Sequence, residues 1–448
     1  MSNNIDLKKG LNIPIAGTAA LETKKTIAQD VAAVKPTDFK GFSPRLLVKE
    51  GDKVSAGSPL LEDKKNLNIL LTSPFSGTVQ QIVRGDKRKL LAVLIKSDGS
   101  NDSIDFGVKD PSALNAEGVK ETLLKSGLWL SLIQRPYGVI ANPAVTPKAI
   151  FVSAFSTAPL CADTEFILKG EAEDIQDAVT ALSKIAKVNI CVNSADSAFA
   201  KLKDATIWTV KGDKHPAGNV GVQISHISPI QKGETVWTIS PVLLAAFGKL
   251  LRTGKLDLRR KIAVTGPAAI NPAYVEALPG MPIKALADFY DASKQEIRFV
   301  SGDPLTGENV GEDGYTGFFD TQVTLLGEGR EREVLGWAKP FRFNQYSSTK
   351  SYFSWLSPKK RYSMDTNTHG GVRAFLMSDV YEKVLPMDIF PIYLIKACLA
   401  GDIDKMEKFG IYEVLPEDLA LCEFVDPSKN DIQEIISKGI DLMIKEMA

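Results

Sequence analysis

Few residues in this chain have types and spacings able to do chemistry. Three histidines (His215, His226, His369) and four cysteines (Cys161, Cys191, Cys398, Cys422) are scattered through 448 residues. They show no CxxC and no paired spacing, so neither a disulfide framework nor a zinc or iron–sulfur site within the chain is expected. The histidines lie too far apart for a metal cluster or a proton relay and are read as solvated or core side chains. Recognition chemistry is densest at residues 129–137. Trp129, Leu132, Ile133 and Tyr137, with Pro136 beside them, give an apolar, aromatic slot in which Arg135 is the one cationic donor. Aromatics stack flat rings and a cationic donor holds a carbonyl oxygen, which suits a quinone headgroup. The other reading is that these side chains simply fill space. A second stretch alternates rings (Tyr346, Tyr352, Phe353, Trp355) with cations (Lys350, Lys359, Lys360, Arg361). It could face anionic lipid or another chain, or be an ordinary solvated loop with partly buried rings.

Composition sets the class. Lys plus Arg (54) equals Asp plus Glu (54), so the chain has no excess basic charge of the kind that attracts nucleic acid, and no nucleic-acid partner is expected. A hydrophobic share of 44%, a charged share of 24% and a mean hydropathy of −0.04 are those of an ordinary globular chain. The apolar stretches 241–251 and 389–400 fall short of the ~18–20 residues of a spanning helix. The N-terminus has no apolar core behind its charges, so no signal peptide is expected. Unpaired cysteines fit a reducing compartment.

The elements that must position the slot follow from periodicity. Residues 40–96 read as short strands between turns at Gly51-Asp52, Gly57, Gly77 and Gly85-Asp86, with Val48, Val54, Leu60, Val79, Ile82, Val93 and Ile95 buried. This order resembles the biotinyl/lipoyl carrier domain. Its exposed hairpin, Glu62-Asp63-Lys64-Lys65-Asn66, lacks the methionines that flank a biotinyl lysine and is expected to be a solvated charged turn. From Gly118 the spacing of Val119, Leu123, Leu124 and Leu128 predicts a helix running toward Arg135-Pro136. A βαβ unit is expected from a strand at 148–153, a helix at 172–185 and a strand at 188–192, with a third strand near 207–210. No GxGxxG follows any of them. Residues 258–307 resemble a soluble-ligand-binding β-grasp module. The tail from Asp379 is helical, broken at Gly401-Asp402, Gly410 and Pro416, and closes with an amphipathic helix at Ile432–Met447. The fold class is thus multidomain α+β and α/β. The expected divisions are an N-terminal segment (1–39), a carrier-like β barrel (40–100), a Rossmann-like α/β domain (101–257), a β-grasp domain (258–330), a connecting β/loop region (331–378) and a helical domain (379–448).

Together these modules carry Lys8-Lys9-Gly10, Glu62-Asp63-Lys64-Lys65-Asn66, Ser126-Gly127-Leu128-Trp129 with Arg135-Pro136, and His215-Pro216-Ala217-Gly218. Ala246-Phe247-Gly248-Lys249-Leu250, Gly329-Arg330-Glu331 with Gly336-Trp337-Ala338, and Glu417-Asp418-Leu419-Ala420-Leu421-Cys422 complete the set. The whole chain resembles the NqrA family, whose members are subunits of the bacterial Na+-translocating NADH:quinone oxidoreductases. The same architecture is similar to the Rnf C subunit and to the NADH-binding subunit of complex I. In those NADH-binding relatives a glycine run after Ser-Gly-Leu approaches nucleotide phosphates; here Trp129-Leu130-Ser131-Leu132 stands there, so neither NADH nor FMN is expected at that place. Rnf-type cysteine clusters are missing, and Asp426 stands where a ligand cysteine would. Cys422 is expected to be a buried hydrophobe on a helix.

The resemblance implies a peripheral subunit on the cytoplasmic face of the bacterial inner membrane, held there by the other subunits of the complex. That complex reduces ubiquinone with electrons from NADH and exports Na+. NADH and quinone are its substrates, its flavins and iron–sulfur centre sit on other subunits, and no catalytic, cofactor or metal residue is expected here. This chain's share would be quinone access and assembly, with Trp129, Leu132, Arg135, Pro136 and Tyr137 as the quinone-contact candidates. A redox-inert scaffold holding the membrane subunits together is the alternative.

Overall fold

A computed structural model describes residues 3–100, 102–331, 342–350, 352–376 and 379–447. Gly336-Trp337-Ala338 lies outside the described residues. The expected small β unit is present as two packed sheets. One runs in the order Val31–Val34, Leu90–Ser97, Gly77–Arg84, Lys53–Val54, and the other in the order Pro44–Leu46, Pro59–Asp63, Leu70–Thr72. Val54, Leu60, Val79, Val93 and Ile95 are buried between them, as period-two alternation requires, whereas Val48 and Ile82 are only partly buried. The charged hairpin is not wholly solvated. Lys64 and Lys65 are exposed, but Glu62 pairs with Arg45, and Asp63 accepts the Ser43 (2.9 Å) and Lys65 (3.3 Å) amides, so both carboxylates are buried.

The α/β unit is built on a seven-stranded sheet. Asn4–Asp6, Ala205–Lys211, Val188–Val192, Ile150–Ser153 and Val236–Thr238 run parallel, and Ile133–Arg135 and Val139–Ile140 add an antiparallel edge. Helix Ala172–Leu182 is the crossover between the strands at 150 and 188, giving the βαβ unit read from the pattern. It packs on helix Pro241–Thr253, where the carbonyl of Asp174 sits so close to Gly248 that no Cβ fits. The helix leading into the slot is shorter than its periodicity suggests. It spans Ala116–Ser126, with the Asn115 side chain accepting the Gly118 amide (2.8 Å), and Gly127 stops it in the left-handed region (φ 80°). Leu128–Ser131 then makes a 3-10 turn, and Ile133–Arg135 is a strand paired with Val236–Thr238.

A six-stranded sheet follows in the order Glu308–Asn309, Ile297–Ser301, Gln322–Gly327, Arg260–Thr265, Ala273–Ala277, Ala20–Thr26, backed by the 3-10 segment Ile283–Phe289. Among the described residues, five α-helices form the tail: Val380–Val384, Pro391–Ala400, Ile403–Phe409, Ala420–Val425 and Ile432–Met447. Gly401 and Gly410 end two of them in the left-handed region, and Asp402 caps the next. Within 342–376, the described residues contain the 3-10 helix Phe353–Leu356 and isolated bridges (Ile15 to Tyr362, Gly327 to Asp365) rather than a regular strand.

Residues 3–39 lace the modules together. Asn4–Asp6 edges the α/β sheet, Ala20–Thr26 edges the six-stranded sheet, and Val31–Val34 belongs to the β unit. Their Ile5, Leu7, Ile13 and Ile15 also enter one core with Tyr381, Leu394, Leu419 and Ile436 of the helical tail. Four modules read separately along the sequence are thereby joined by one strand-forming ribbon. Among the described residues, no helix is long and apolar enough to cross a membrane.

Candidate functional site

Residues 129–137 do not form one open slot. Trp129 and Leu132 are fully buried in the largest core. The Trp129 indole donates to the Ala141 carbonyl (2.7 Å) and meets Trp237 edge to face, with centroids 5.4 Å apart and planes at 81°. Pro136, after a cis bond to Arg135, is buried, and Ile133 is partly so. Tyr137 is half-buried; its ring meets Tyr412 (6.2 Å), whose hydroxyl donates to Glu407 (2.5 Å), itself paired with Lys232 (2.8 Å). Burial raises both phenols above their ordinary range, so neither ionises near neutral pH.

Arg135 is committed elsewhere. Its guanidinium is 1% exposed and forks, with Nη1 donating to Asp418 Oδ2 (2.8 Å) and Nη2 to Glu417 Oε1 (2.7 Å). Burial alone would lower the guanidinium's pKa; the two carboxylates outweigh it and hold the pKa above the ordinary value. The same Asp418 oxygen accepts the Leu415 amide (3.0 Å), and Asn219 Nδ2 reaches the Glu417 carbonyl (3.1 Å). Gly221 leaves the room this fork occupies, since a Cβ there would overlap Arg135 Nη1 and both Asp418 carboxylate oxygens. Both Nη atoms are therefore committed to carboxylates, while Nε is buried without a hydrogen-bond partner among the described residues, the one nitrogen of the group left to donate. In this arrangement it fastens the edge of the α/β sheet to the helical tail.

The remaining titratable groups are placed mostly by packing. Cys422 and Cys191 are fully buried, and burial pushes the Cys191 thiol up to about 12. Asp426 receives the amides of Ser428 (3.0 Å) and Asn430 (2.9 Å) and the Asn430 side chain (3.1 Å), and so ends the helix before it. His215 is buried against Thr157, and burial lowers its pKa, outweighing Asp303 and Asp418. His226 bonds the Val222 carbonyl one turn back (2.9 Å). Among the described residues, no group of three or more His, Cys, Asp or Glu could hold a metal ion. In the second aromatic stretch Trp355 and Phe353 are exposed, Tyr346 packs on Tyr362, and Lys360 bonds the Phe343 carbonyl (2.9 Å) and Asn344 (2.8 Å). Sequence reasoning singles out both Arg135 and Glu417-Asp418 but not their pairing. No local signal connects residues separated by 283 positions.

Comparison with known proteins places this architecture. Residues 5–98 match the family model described as the NqrA N-terminal barrel-sandwich hybrid domain, and residues 114–256 match the NqrA second alpha/beta domain. The NqrA protein of Pasteurella multocida, part of the Na(+)-translocating NADH-quinone reductase, is 37% identical, covering 99% of this chain and 100% of its own length. The corresponding proteins of Actinobacillus succinogenes and Shewanella frigidimarina are each 36% identical over the same shares. Among solved structures, an air-oxidized NAD+-reducing [NiFe]-hydrogenase matches with a TM-score of 0.35 and 11% identity over 49% of this chain and 48% of that chain. With full-length relatives at this identity, and both N-terminal modules matched where the two-sheet β unit and the seven-stranded α/β sheet stand, the chain belongs to the NqrA family.

Proposed function

We propose that this chain works as the NqrA component of a Na+-translocating NADH-quinone reductase, in which electrons from NADH reduce a quinone and Na+ is exported. The observation that carries this reading is the 37% identity to the Pasteurella multocida NqrA protein across 99% of this chain and all of that one. The chain acts as a peripheral member on the cytoplasmic face, leaving flavin and iron–sulfur chemistry to other subunits. The β-grasp and Rossmann-like labels, and kinship with the Rnf C subunit and the NADH-binding subunit of complex I, belong to the same proposal, as do module limits near 40, 101, 258, 331 and 379.

Its own contribution is quinone access and assembly. For quinone contact the supporting feature is the aromatic wall of residues 129–137. Tyr137 is half-buried, Trp129, Leu132 and Pro136 build the wall behind it, and Arg135 anchors that wall through Asp418. Affinity purification of the tagged chain from detergent-solubilised membranes tests the membership: the other reductase subunits should accompany it, and their absence overturns the reading. A photoreactive quinone analogue tests the contact. Adducts at Tyr137 or its neighbours support the assignment, and adducts confined to other segments overturn it.

A further inference from the structure

We propose that residues 342–350 and 352–362, with the cleft beneath them, are a docking face for an anionic bilayer surface. The inference rests on the membrane-complex reading for its biological setting but not for its physics. In a chain of zero net charge, residues 342–362 contain no Asp or Glu, while Arg342, Lys350, Lys359, Lys360 and Arg361 all fall there. In the described part of this stretch Tyr362 is buried and Tyr346 packs on it, while other apolar side chains face outward. Phe343 (52%), Trp355 (52%) and Leu356 (57%) are strongly exposed, and the Phe343 and Phe353 rings stack with centroids 5.8 Å apart. Rings and cations on one exposed surface are what an interface of headgroups and acyl chains rewards: aromatics sit at headgroup level and Lys and Arg meet the phosphates.

The cleft adds a place for a phosphate. It has a volume of ≈ 630 Å³, and its lining includes Asn12, Thr157, Cys161, Tyr346, Lys359 and Arg361. Among the described residues, that lining contains two cations and no carboxylate. Two of its walls, 12–18 and 157–161, follow the C-terminal ends of the parallel strands Asn4–Asp6 and Ile150–Ser153, the end of an open α/β sheet where ligands collect. A lipid phosphate between Lys359 and Arg361 would let the neighbouring rings lie among the upper acyl carbons. An acidic protein face with an apolar centre would also meet these cations and rings, and it is the outcome that absence of vesicle binding would indicate. Charge and apolar exposure together favour the bilayer.

The test is flotation of the purified full-length chain with vesicles. Vesicles of equal parts phosphatidylglycerol and phosphatidylcholine should bind it, and pure phosphatidylcholine vesicles should bind far less. Lys359→Gln and Arg361→Gln should each weaken binding about five-fold. Salt near ~1 M, where the Debye length falls to ~3 Å, should release most of the protein. Quenching of tryptophan emission by brominated acyl chains should fall in Trp355→Phe. Lys64→Gln with Lys65→Gln, an exposed pair on the β unit, should leave binding unchanged. Equal binding to both vesicle types, no binding, or loss as large in the Lys64/Lys65 variant overturns the proposal. So does complete release by millimolar inorganic phosphate at constant ionic strength, which would mark a free-anion site. None of these outcomes depends on which subunits co-purify, so failure here leaves the membership test standing.

Discussion

Asp418→Ala should loosen the helical tail from the α/β sheet, and the structure sets the size of the effect. The Asp418 side chain is fully buried and accepts two bonds, from Arg135 Nη1 at 2.8 Å and from the Leu415 amide at 3.0 Å. Removing it leaves a buried guanidinium with Glu417 as its remaining carboxylate partner, and Glu417 is half in solvent. Breaking a buried pair from one side costs about 3–5 kcal/mol, and the surviving Glu417 contact places Asp418→Ala near the lower end. Arg135→Ala strands Asp418 with only a backbone donor and belongs at the upper end. Against a total of ~5–15 kcal/mol, either change should be visible as an early transition. Replacing both by apolar residues (Arg135→Met with Asp418→Leu) should return stability to within about 1–2 kcal/mol of wild type, since neither charge is then stranded. Urea unfolding of wild type, Arg135→Met, Asp418→Leu and the double variant, with limited proteolysis to show that the tail is released first, closes the double-mutant cycle. Single variants each losing less than ~1 kcal/mol, or a double variant equal to their sum, would refute the idea that this pair is the clamp.

Three other perturbations follow from the same geometry. Gly221→Ala should destabilise by ~1–3 kcal/mol, because its Cβ meets the Arg135–Asp418 pair, and chemical denaturation reads this directly. Burial, helped by Asp388, raises the Glu413 carboxyl to about 7 from an ordinary 4.5. The folded state then holds more protons than the unfolded one between those values, so stability falls as pH rises through that window. Glu413→Gln should be neutral at pH ~4 and stabilise by ~1–2 kcal/mol at pH ~8, after allowance for partial exposure, in paired thermal melts. Cys191 and Cys422 should resist Ellman's reagent at pH ~8 until the chain is unfolded, because burial keeps both as thiols; rapid native labelling at either would contradict that packing.

Local pattern was readable in the sequence, and long-range pairing was not. Strand Val188–Val192, helix Ile432–Met447 and the helix stops at Gly401 and Gly410 follow from a short β-branched run, 3.6-residue spacing and glycine's access to the left-handed region. The helix expected to run toward Arg135 stops at Ser126 because Gly127 turns the chain, after which Ile133–Arg135 finds a strand partner more than a hundred residues away. The three sheets served by residues 3–39 are equally hidden, since each short strand there is defined by its distant partner and not by its own composition. At the candidate site the residue types were legible and their commitments were not. Nothing around Trp129 announces Ala141 or Trp237, and nothing around Arg135 announces Asp418.

The central claim is that the chain serves a sodium-pumping NADH–quinone reductase, and membranes depleted of it test that claim most directly. Na+-stimulated quinone reduction by NADH should be lost in membranes from a strain lacking this chain and restored by the full-length protein. Undiminished Na+-stimulated activity in those membranes would contradict the account.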